Sequence, residues 1–249
     1  MAYANNAFCW QGIISTDTDK AQSFYSEVIG WSVQQMTMGE DTATMFAASD
    51  IPRAHLMAPP MEGVPSHWNN YFRVADIDAS TAAAAATGGA VVVPVTEIPV
   101  GRFSVVSSPS GAHFSLFHEA DEATAENPPA GHGSIHWVEL HSKDIQADLA
   151  WLNAAFGLTS EKMPMPEGEY FILQNEGTPI GGATKHMKDE APAMWLAWIQ
   201  VDDVDACVER VGNNGGNVLS PLMEVPNVGR MAVVQDNTGG VFGVITPPA

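Results

Sequence analysis

The sequence predicts an α+β protein built from four tandem βαβββ modules, two in each half of the chain. Three observations carry this. First, residues 8–118 return at 135–246 with a nearly constant offset of 127: Trp10 returns as Trp137, Ser15 as Ser142, Asp17 as Asp144, Gly30 as Gly157, Trp68 as Trp195 and Gly88-Gly89 as Gly215-Gly216. After one inserted residue, Arg102/Arg230, Val105/Val233, Gly111/Gly239 and Phe114/Phe242 align at an offset of 128. So many turn residues and tryptophans in register require two copies of one fold. Second, each half contains the same order twice: a strand, a helix closed by glycine, then three short strands. Third, the halves are separated by residues 119–133, whose Glu, Asp, Ala, Pro-Pro and Gly content suits an exposed tether. The expected division is a first domain at 1–118, this acidic linker, and a second domain at 134–249.

The elements follow in order. Phe8 to Ser15 reads as a strand, and Ser15-Thr16-Asp17-Thr18 supplies cap candidates for the next helix. That helix carries Ala21, Phe24, Tyr25 and Val28 at i, i+3, i+4 and i+7, one apolar stripe, and Gly30 ends it. Strands near 32–38, 43–49 and 53–58 follow, separated by Gly, Asp and Pro. The second module opens with a strand from about His67 to Ala75, has Asp76 or Asp78 as helix cap, and contains an alanine-rich helix ending at Gly88-Gly89. Its last strands, about 102–107 and 112–118, flank the tight-turn composition Ser108-Pro109-Ser110-Gly111. In the third module the helix stripe is Ile145, Leu149, Leu152 and Phe156, stopped by Gly157; in the fourth, Asp203 or Asp205 caps a helix that ends at Gly215-Gly216.

Composition excludes several classes of function. The chain has 249 residues, ten Lys and Arg in total, and a formal charge of −19. No basic patch large enough for nucleic acid or an anionic membrane can be assembled from so few cations. The acidity reads as solubility. The two cysteines, Cys9 and Cys207, fall in a strand and a helix of different halves and read as buried thiols of a reducing cytoplasm. No secretory leader pattern opens the chain and no apolar run approaches about 18 residues, so cytoplasmic location is expected. A Gly-rich phosphate loop, a nucleophile elbow and a Cys-x-x-Cys are all missing from the sequence.

The run from Trp10 to Asp17, with Phe24-Tyr25 and Gly30-Trp31, resembles the opening of a module in the vicinal oxygen chelate superfamily, which includes glyoxalase I, bleomycin-resistance proteins and extradiol dioxygenases. The segment Trp68 to Asp78, then Gly101-Arg102-Phe103 and Ser108-Pro109-Ser110-Gly111, extends the likeness, and counterparts from Trp195 and Gly229 complete it. In its two-domain layout the chain is similar to the actinobacterial glyoxalase-like proteins of the 27 kDa antigen group. The resemblance implies tandem glyoxalase-like domains whose mixed sheets curl into a cup, helices outside and ligand inside. In metal-dependent members, four cup-facing His, Glu or Gln side chains hold one divalent ion that polarises a substrate with vicinal oxygens. The corresponding positions here are Trp10, His55, Asn69 and Ser115 in the first half, and Trp137, Gly182, Leu196 and Gly243 in the second. Only His55 is a good ligand. No cofactor is therefore expected; one divalent metal ion is the alternative, since a two-residue slip would bring Glu139 and His141 onto the cup face.

By the same parity the first cup presents His55, Asn69, Tyr71, Arg73, His113 and Ser115 around Trp10, and the second presents Trp137, Glu139, His141, Trp198 and Gln200. Ligand contact is assigned to Trp10, His55, Asn69, Tyr71, His113, Trp137 and Trp198. Glu139 and His141, two apart on a strand, form a candidate acid–base pair, against the plainer reading of a structural hydrogen-bonded pair. Trp68 and Trp195, on the opposite parity, are expected beneath the helices; Arg102 and Arg230 in structural salt bridges; His118 as a satisfied strand histidine; and Met57 and Met61 in a loop between modules. The function expected is binding or converting a small metabolite or electrophile, by lyase or isomerase chemistry if it is an enzyme. Metal-dependent lyase, isomerase or dioxygenase chemistry, or drug sequestration without turnover, is the alternative; in a further reading one domain merely covers the other. The partner is a small molecule, with no nucleic acid and no membrane, and the chain is a monomer or homodimer.

Overall fold

A computed structural model describes residues 5–38, 41–120, 129–165, 168–186 and 190–248. Residues 121–128 of the expected linker lie outside the described residues. The first half runs β1 (Ala7–Ile14), α1 (Thr18–Val28), β2 (Ser32–Met38), β3 (Asp41–Ala48), β4 (Ile51–Met57), β5 (His67–Arg73), α2 (Ile77–Ala86), β6 (Ala90–Ile98), β7 (Gly101–Ser107) and β8 (His113–Glu119). The second runs β9 (Ile135–Ser142), α3 (Ile145–Phe156), β10 (Thr159–Met163), β11 (Tyr170–Asn175), β12 (Thr178–Lys185), β13 (Met194–Gln200), α4 (Val204–Asn213), β14 (Asn217–Val218), β15 (Met223–Val225), β16 (Gly229–Gln235) and β17 (Val241–Thr246). The strands form two mixed sheets, in the orders β2-β3-β4-β1-β5-β8-β7-β6 and β10-β11-β12-β9-β13-β17-β16-β14, with β15 paired to β16. The expected α+β class is present with the four modules, and in the fourth the first strand after α4 is broken into β14 and β15, both paired to β16.

Each helix starts on an aspartate whose side chain accepts a backbone N–H three residues on: Asp17 from Lys20, Asp76 from Ala79, Asp144 from Ala147 and Asp203 from Ala206, all at 2.9–3.1 Å. This satisfies one of the unpaired donors of each first turn. The caps are thus Asp76 and Asp203. The neighbours Asp78 and Asp205 instead bind Arg102 (2.8 and 3.1 Å) and Arg230 (2.5 and 2.7 Å) with both carboxylate oxygens. The stripe Ala21, Phe24, Tyr25 and Val28 is buried as expected. On α3 the expected stripe needs correction: Leu149 is half-buried, while Asp148 and Trp151 join Ile145, Leu152 and Phe156 on the buried face. Asp148 is tolerated there because its carboxylate accepts from the Ser142 hydroxyl (2.6 Å), the Ser110 amide (3.0 Å) and the Ser110 hydroxyl.

By contacts the described chain divides into two compact units: one of residues 1–10, 70–127 and 137–195, the other of residues 11–69, 128–136 and 196–249. In the first, α2 packs on α3 over an aromatic core of Phe8, Phe72, Phe114, Trp151, Phe156 and Trp195. Gly89 leaves room for Trp151, whose indole N–H donates to the Ala84 carbonyl at 2.9 Å. In the second, α1 packs on α4, and the core joins Phe24, Tyr25, Trp31, Phe46 and Trp68 to Phe242 and Val244. Gly216 leaves room for Phe24. Trp68 and Trp195 are therefore core residues, as their parity predicts.

A buried carboxylate also knits the second unit. Asp236 Oδ1 accepts from the backbone amides of Thr238, Gly239 and Gly240 and from the Thr238 hydroxyl, at 2.7–3.0 Å. Its Oδ2 accepts from the Tyr25 hydroxyl at 2.6 Å, which in turn accepts from the Trp68 indole at 2.9 Å.

Candidate functional site

One polar cluster of the expected site residues is on the third module. Trp137, Glu139 and His141 alternate along β9 and so share a face. Strand β12 lies parallel beside it, with Gly182 opposite Glu139 and Thr184 opposite His141. Strand β11 follows, with Ile172 opposite Gly182 and Tyr170 opposite Thr184. Because Gly182 has no side chain, Tyr170 reaches across β12 to β9: a Cβ at 182 would overlap the Tyr170 hydroxyl and sit 2.8 Å from Trp137 Nε1.

The result is a chain of polar contacts. The Trp137 indole N–H donates to the Tyr170 hydroxyl at 2.9 Å. That hydroxyl hydrogen-bonds Glu139, whose Oε1 lies 2.7 Å from His141 Nε2. Nε2 is not aligned for a directed hydrogen bond to that oxygen. The His186 ring stands edge-on to His141 with centroids 5.5 Å apart. Glu139 is 7% exposed, so its oxygens are satisfied by these partners more than by water. Burial first, and the Glu139 carboxylate second, hold the Tyr170 phenol pKa well above its ordinary range.

The repeat makes this cluster particular to the second half. Positions 139, 170 and 182 correspond to Gly12, Ala43 and His55. In the first half the sizes are exchanged across the same strand pair: the His55 ring on β4 covers Gly12 on β1, where a Cβ would sit 2.5 Å from the imidazole. Burial lowers the His55 pKa to about 4, so its ring is neutral near pH 7.

The other expected contacts are placed as follows. Trp10, Asn69 and Tyr71 are half-buried on β1 and β5, and the Tyr71 ring meets Phe117 edge-on. His113 is exposed at the start of β8, whereas Ser115 is fully buried. Arg73 is buried and bonded to Glu119 at 2.7 Å. Trp198 is buried, its ring flat over Gly243, and its Nε1 has no hydrogen-bond partner among the described residues. Gln200 hydrogen-bonds His136, and His118 Nδ1 lies 3.1 Å from the Val74 carbonyl. Met57 and Met61 are exposed. Sequence reasoning brought out Trp137, Glu139 and His141 but missed Tyr170. The available signal was Gly182, a gap beside the carboxylate that a long side chain from the next strand fills.

The donor set does not fit a metal quartet. In the first half an indole, an imidazole, a carboxamide and a hydroxyl stand at the four positions, one strong ligand among them. In the second, Tyr170 fills the space at Gly182 and Trp198 the space at Gly243, while Trp137 and Leu196 offer no donor to a cation. Among the described residues no three His, Cys, Asp or Glu side chains converge as a metal-binding group.

The fold and these repeated strand faces define a class, and the sequence comparison agrees. Residues 8–116 and 100–243 match the Glyoxalase/Bleomycin resistance protein/Dioxygenase superfamily, and the chain belongs to it. Among its relatives is a Mycobacterium tuberculosis protein bearing the name "Putative glyoxylase CFP32", 29% identical over 245 residues, covering 96% of this chain and 94% of that one. The "Anthracycline biosynthesis protein DauV" of a Streptomyces species is 27% identical over 261 residues, covering 98% and 94%. Solved structures share the fold: the Mn(II)-bound glyoxalase of Novosphingobium aromaticivorans (TM-score 0.65, 17% identity, 97% of this chain and 82% of that one) and the 2,3-dioxygenase LapB of a Pseudomonas species (TM-score 0.64, 13% identity, 99% and 94%).

Proposed function

We propose that this chain binds and converts a small oxygenated or aldehydic compound by proton transfer, with Glu139 as the base and without a resident metal quartet. The observation that carries the reading is the buried Glu139 carboxylate held between Tyr170 and His141 on the face it shares with Trp137. A carboxylate screened from water and fixed in direction is suited to take a proton from a carbon next to a carbonyl. Returning that proton to a neighbouring atom gives an isomerisation; loss of a leaving group instead gives a lyase reaction. His141 stabilises the charged form of the base. Trp137 supplies a flat apolar surface beside it. Trp10, His55, Asn69, Tyr71, His113 and Trp198 are proposed as further ligand contacts, each checked by loss of ligand-induced fluorescence change on substitution.

The test is Glu139→Gln assayed beside the parent on a panel of aldehydes, hydroxyketones and epoxides. Turnover is expected to fall by about 10²- to 10⁴-fold. Unchanged turnover would remove Glu139 from the chemistry. Metal analysis of the purified protein checks the remaining clause, and one tightly held ion per chain would overturn it.

Binding without turnover is the second reading, favoured by the indoles of Trp137 and Trp198 and by the relative named for anthracycline biosynthesis. A ligand-dependent fluorescence or melting shift with no product would select it. In either case the protein is proposed to act in the cytoplasm as a monomer or homodimer. No helix among the described residues is long and apolar enough to cross a membrane, and Cys9 and Cys207 are buried free thiols.

A further inference from the structure

We infer that Tyr170 is the positioning residue of this site: its hydroxyl, seated in the gap at Gly182, fixes the direction of the Glu139 carboxylate and keeps it ionised. The inference starts from the reading of Glu139 as the working carboxylate, but it concerns the ionisation of that group and is tested without any substrate.

Three observations support it. The Tyr170 hydroxyl is in contact on two sides, accepting from Trp137 Nε1 at 2.9 Å and hydrogen-bonded to Glu139. An indole N–H has no acceptor role, so the phenol must receive that bond and direct its own O–H to the carboxylate. Donation into the phenol oxygen polarises its O–H and strengthens the second bond. Gly182 is the condition for this reach, because any Cβ there would collide with the phenol. Finally, the first half has Gly12, Ala43 and His55 at the three corresponding positions, so the arrangement is not a general requirement of the fold.

Among the described residues, the titratable groups around Glu139 are these. His141 faces it along β9, Tyr170 reaches it from β11, and the residue opposite on β12 is glycine. His186, just past β12, stands against His141 rather than against the carboxylate. A buried carboxylate left without donors shifts its pKa upward; a phenol donor opposes that shift. Linkage requires the coupling to act equally in both directions, so the anion that Tyr170 stabilises must make Tyr170 harder to ionise. Burial is the main cause of the raised phenol pKa, and the Glu139 carboxylate adds to it.

The experiment is a carboxyl titration of the full chain followed by difference infrared spectroscopy, with the Glu139 band assigned by its loss in Glu139→Gln. In Tyr170→Phe the midpoint of that band is expected to rise by about one pH unit or more. Gly182→Ala, which keeps the phenol but displaces it, should raise the midpoint in the same direction. In Glu139→Gln the Tyr170 phenolate absorbance, identified by subtraction of the Tyr170→Phe spectrum, should appear at lower pH than in the parent. Unchanged midpoints in both Tyr170→Phe and Gly182→Ala, with an unchanged phenol titration in Glu139→Gln, would overturn the inference. If instead the midpoints move as expected but Glu139→Gln retains full turnover, the inference stands and the catalytic reading fails.

Discussion

At the scale of single residues, the repeated framework carries different chemistry at equivalent positions. The exchange of Gly12 and His55 for Glu139 and Gly182 conserves side-chain volume across one strand pair while replacing a neutral imidazole by a carboxylate. His55 provides a prediction. Its folded pKa of about 4 is below the ordinary value of 6.5, so the folded protein refuses a proton that the unfolded chain accepts. Stability is therefore intact above pH 6.5, falls as the pH drops toward 4, and loses nothing further to this group below that. The loss is roughly 3 kcal/mol. His55→Gln should remove this component, seen by subtracting its urea-unfolding profile from that of the parent between pH 7 and 4; parallel profiles would refute it. Glu139 and His141 were legible in the sequence because alternation on a strand needs only local spacing. Tyr170 was not, because its place depends on the register of β11 against β12 and on a glycine one strand away.

At the scale of elements, the glycine pairs do more than close helices. Gly88 and Gly215 take positive φ at the ends of α2 and α4, the backbone that favours glycine. Their successors Gly89 and Gly216 have a different reason, since Trp151 and Phe24 pack where a Cβ would be. Trp151 and Phe24 occupy equivalent positions in the repeat, so each half supplies the aromatic that the other half's glycine admits. Gly89→Ala and Gly216→Ala are each expected to cost about 1–3 kcal/mol by overpacking. Gly111→Ala, with nothing within 4 Å but a φ of +96°, is the control for backbone strain alone. Equal melting temperatures for Gly216→Ala and the parent would contradict the packing account. Helix positions and aspartate caps were readable because periodicity and capping are local properties. The Ser49-Asp50 turn between β3 and β4 was placed by its Asp and Pro, but its left-handed backbone was not, because two consecutive non-glycine residues at φ of +50° and +62° carry little signal in composition. Asp148 was hidden for a related reason: a carboxylate at a core-facing position is admitted by nearby Ser142 together with Ser110, which is 38 residues away in sequence.

At the scale of the whole molecule, the linear repeat and the compact units divide the chain differently. We propose that the sheets follow the two halves, 1–118 and 134–249, since each sheet takes its strands from one half. Each compact unit, however, takes one module from each half. In the second unit the core that buries Phe24, Tyr25 and Trp31 is completed by Val204, Cys207, Val211 and Phe242 from the other half. The α1 carbonyl of Val28 accepts from Arg210 Nε at 3.0 Å, and Tyr25 is bonded to Asp236. A half expressed alone would expose these aromatics to water and leave the bonded groups unpaired, a loss of several kcal/mol for each large ring. Expressed separately, residues 1–124 and 125–249 are therefore expected to be insoluble or molten, whereas co-expression should return a stable complex of the two. The acidic chain adds a condition: with a net charge of −19, reassembly of the fragments should be faster and tighter in about 0.5 M salt than in about 0.02 M, because screening removes repulsion between like-charged pieces. Two independently soluble fragments, each with a cooperative unfolding transition and no tendency to associate, would show that the exchanged cores do not hold the halves together.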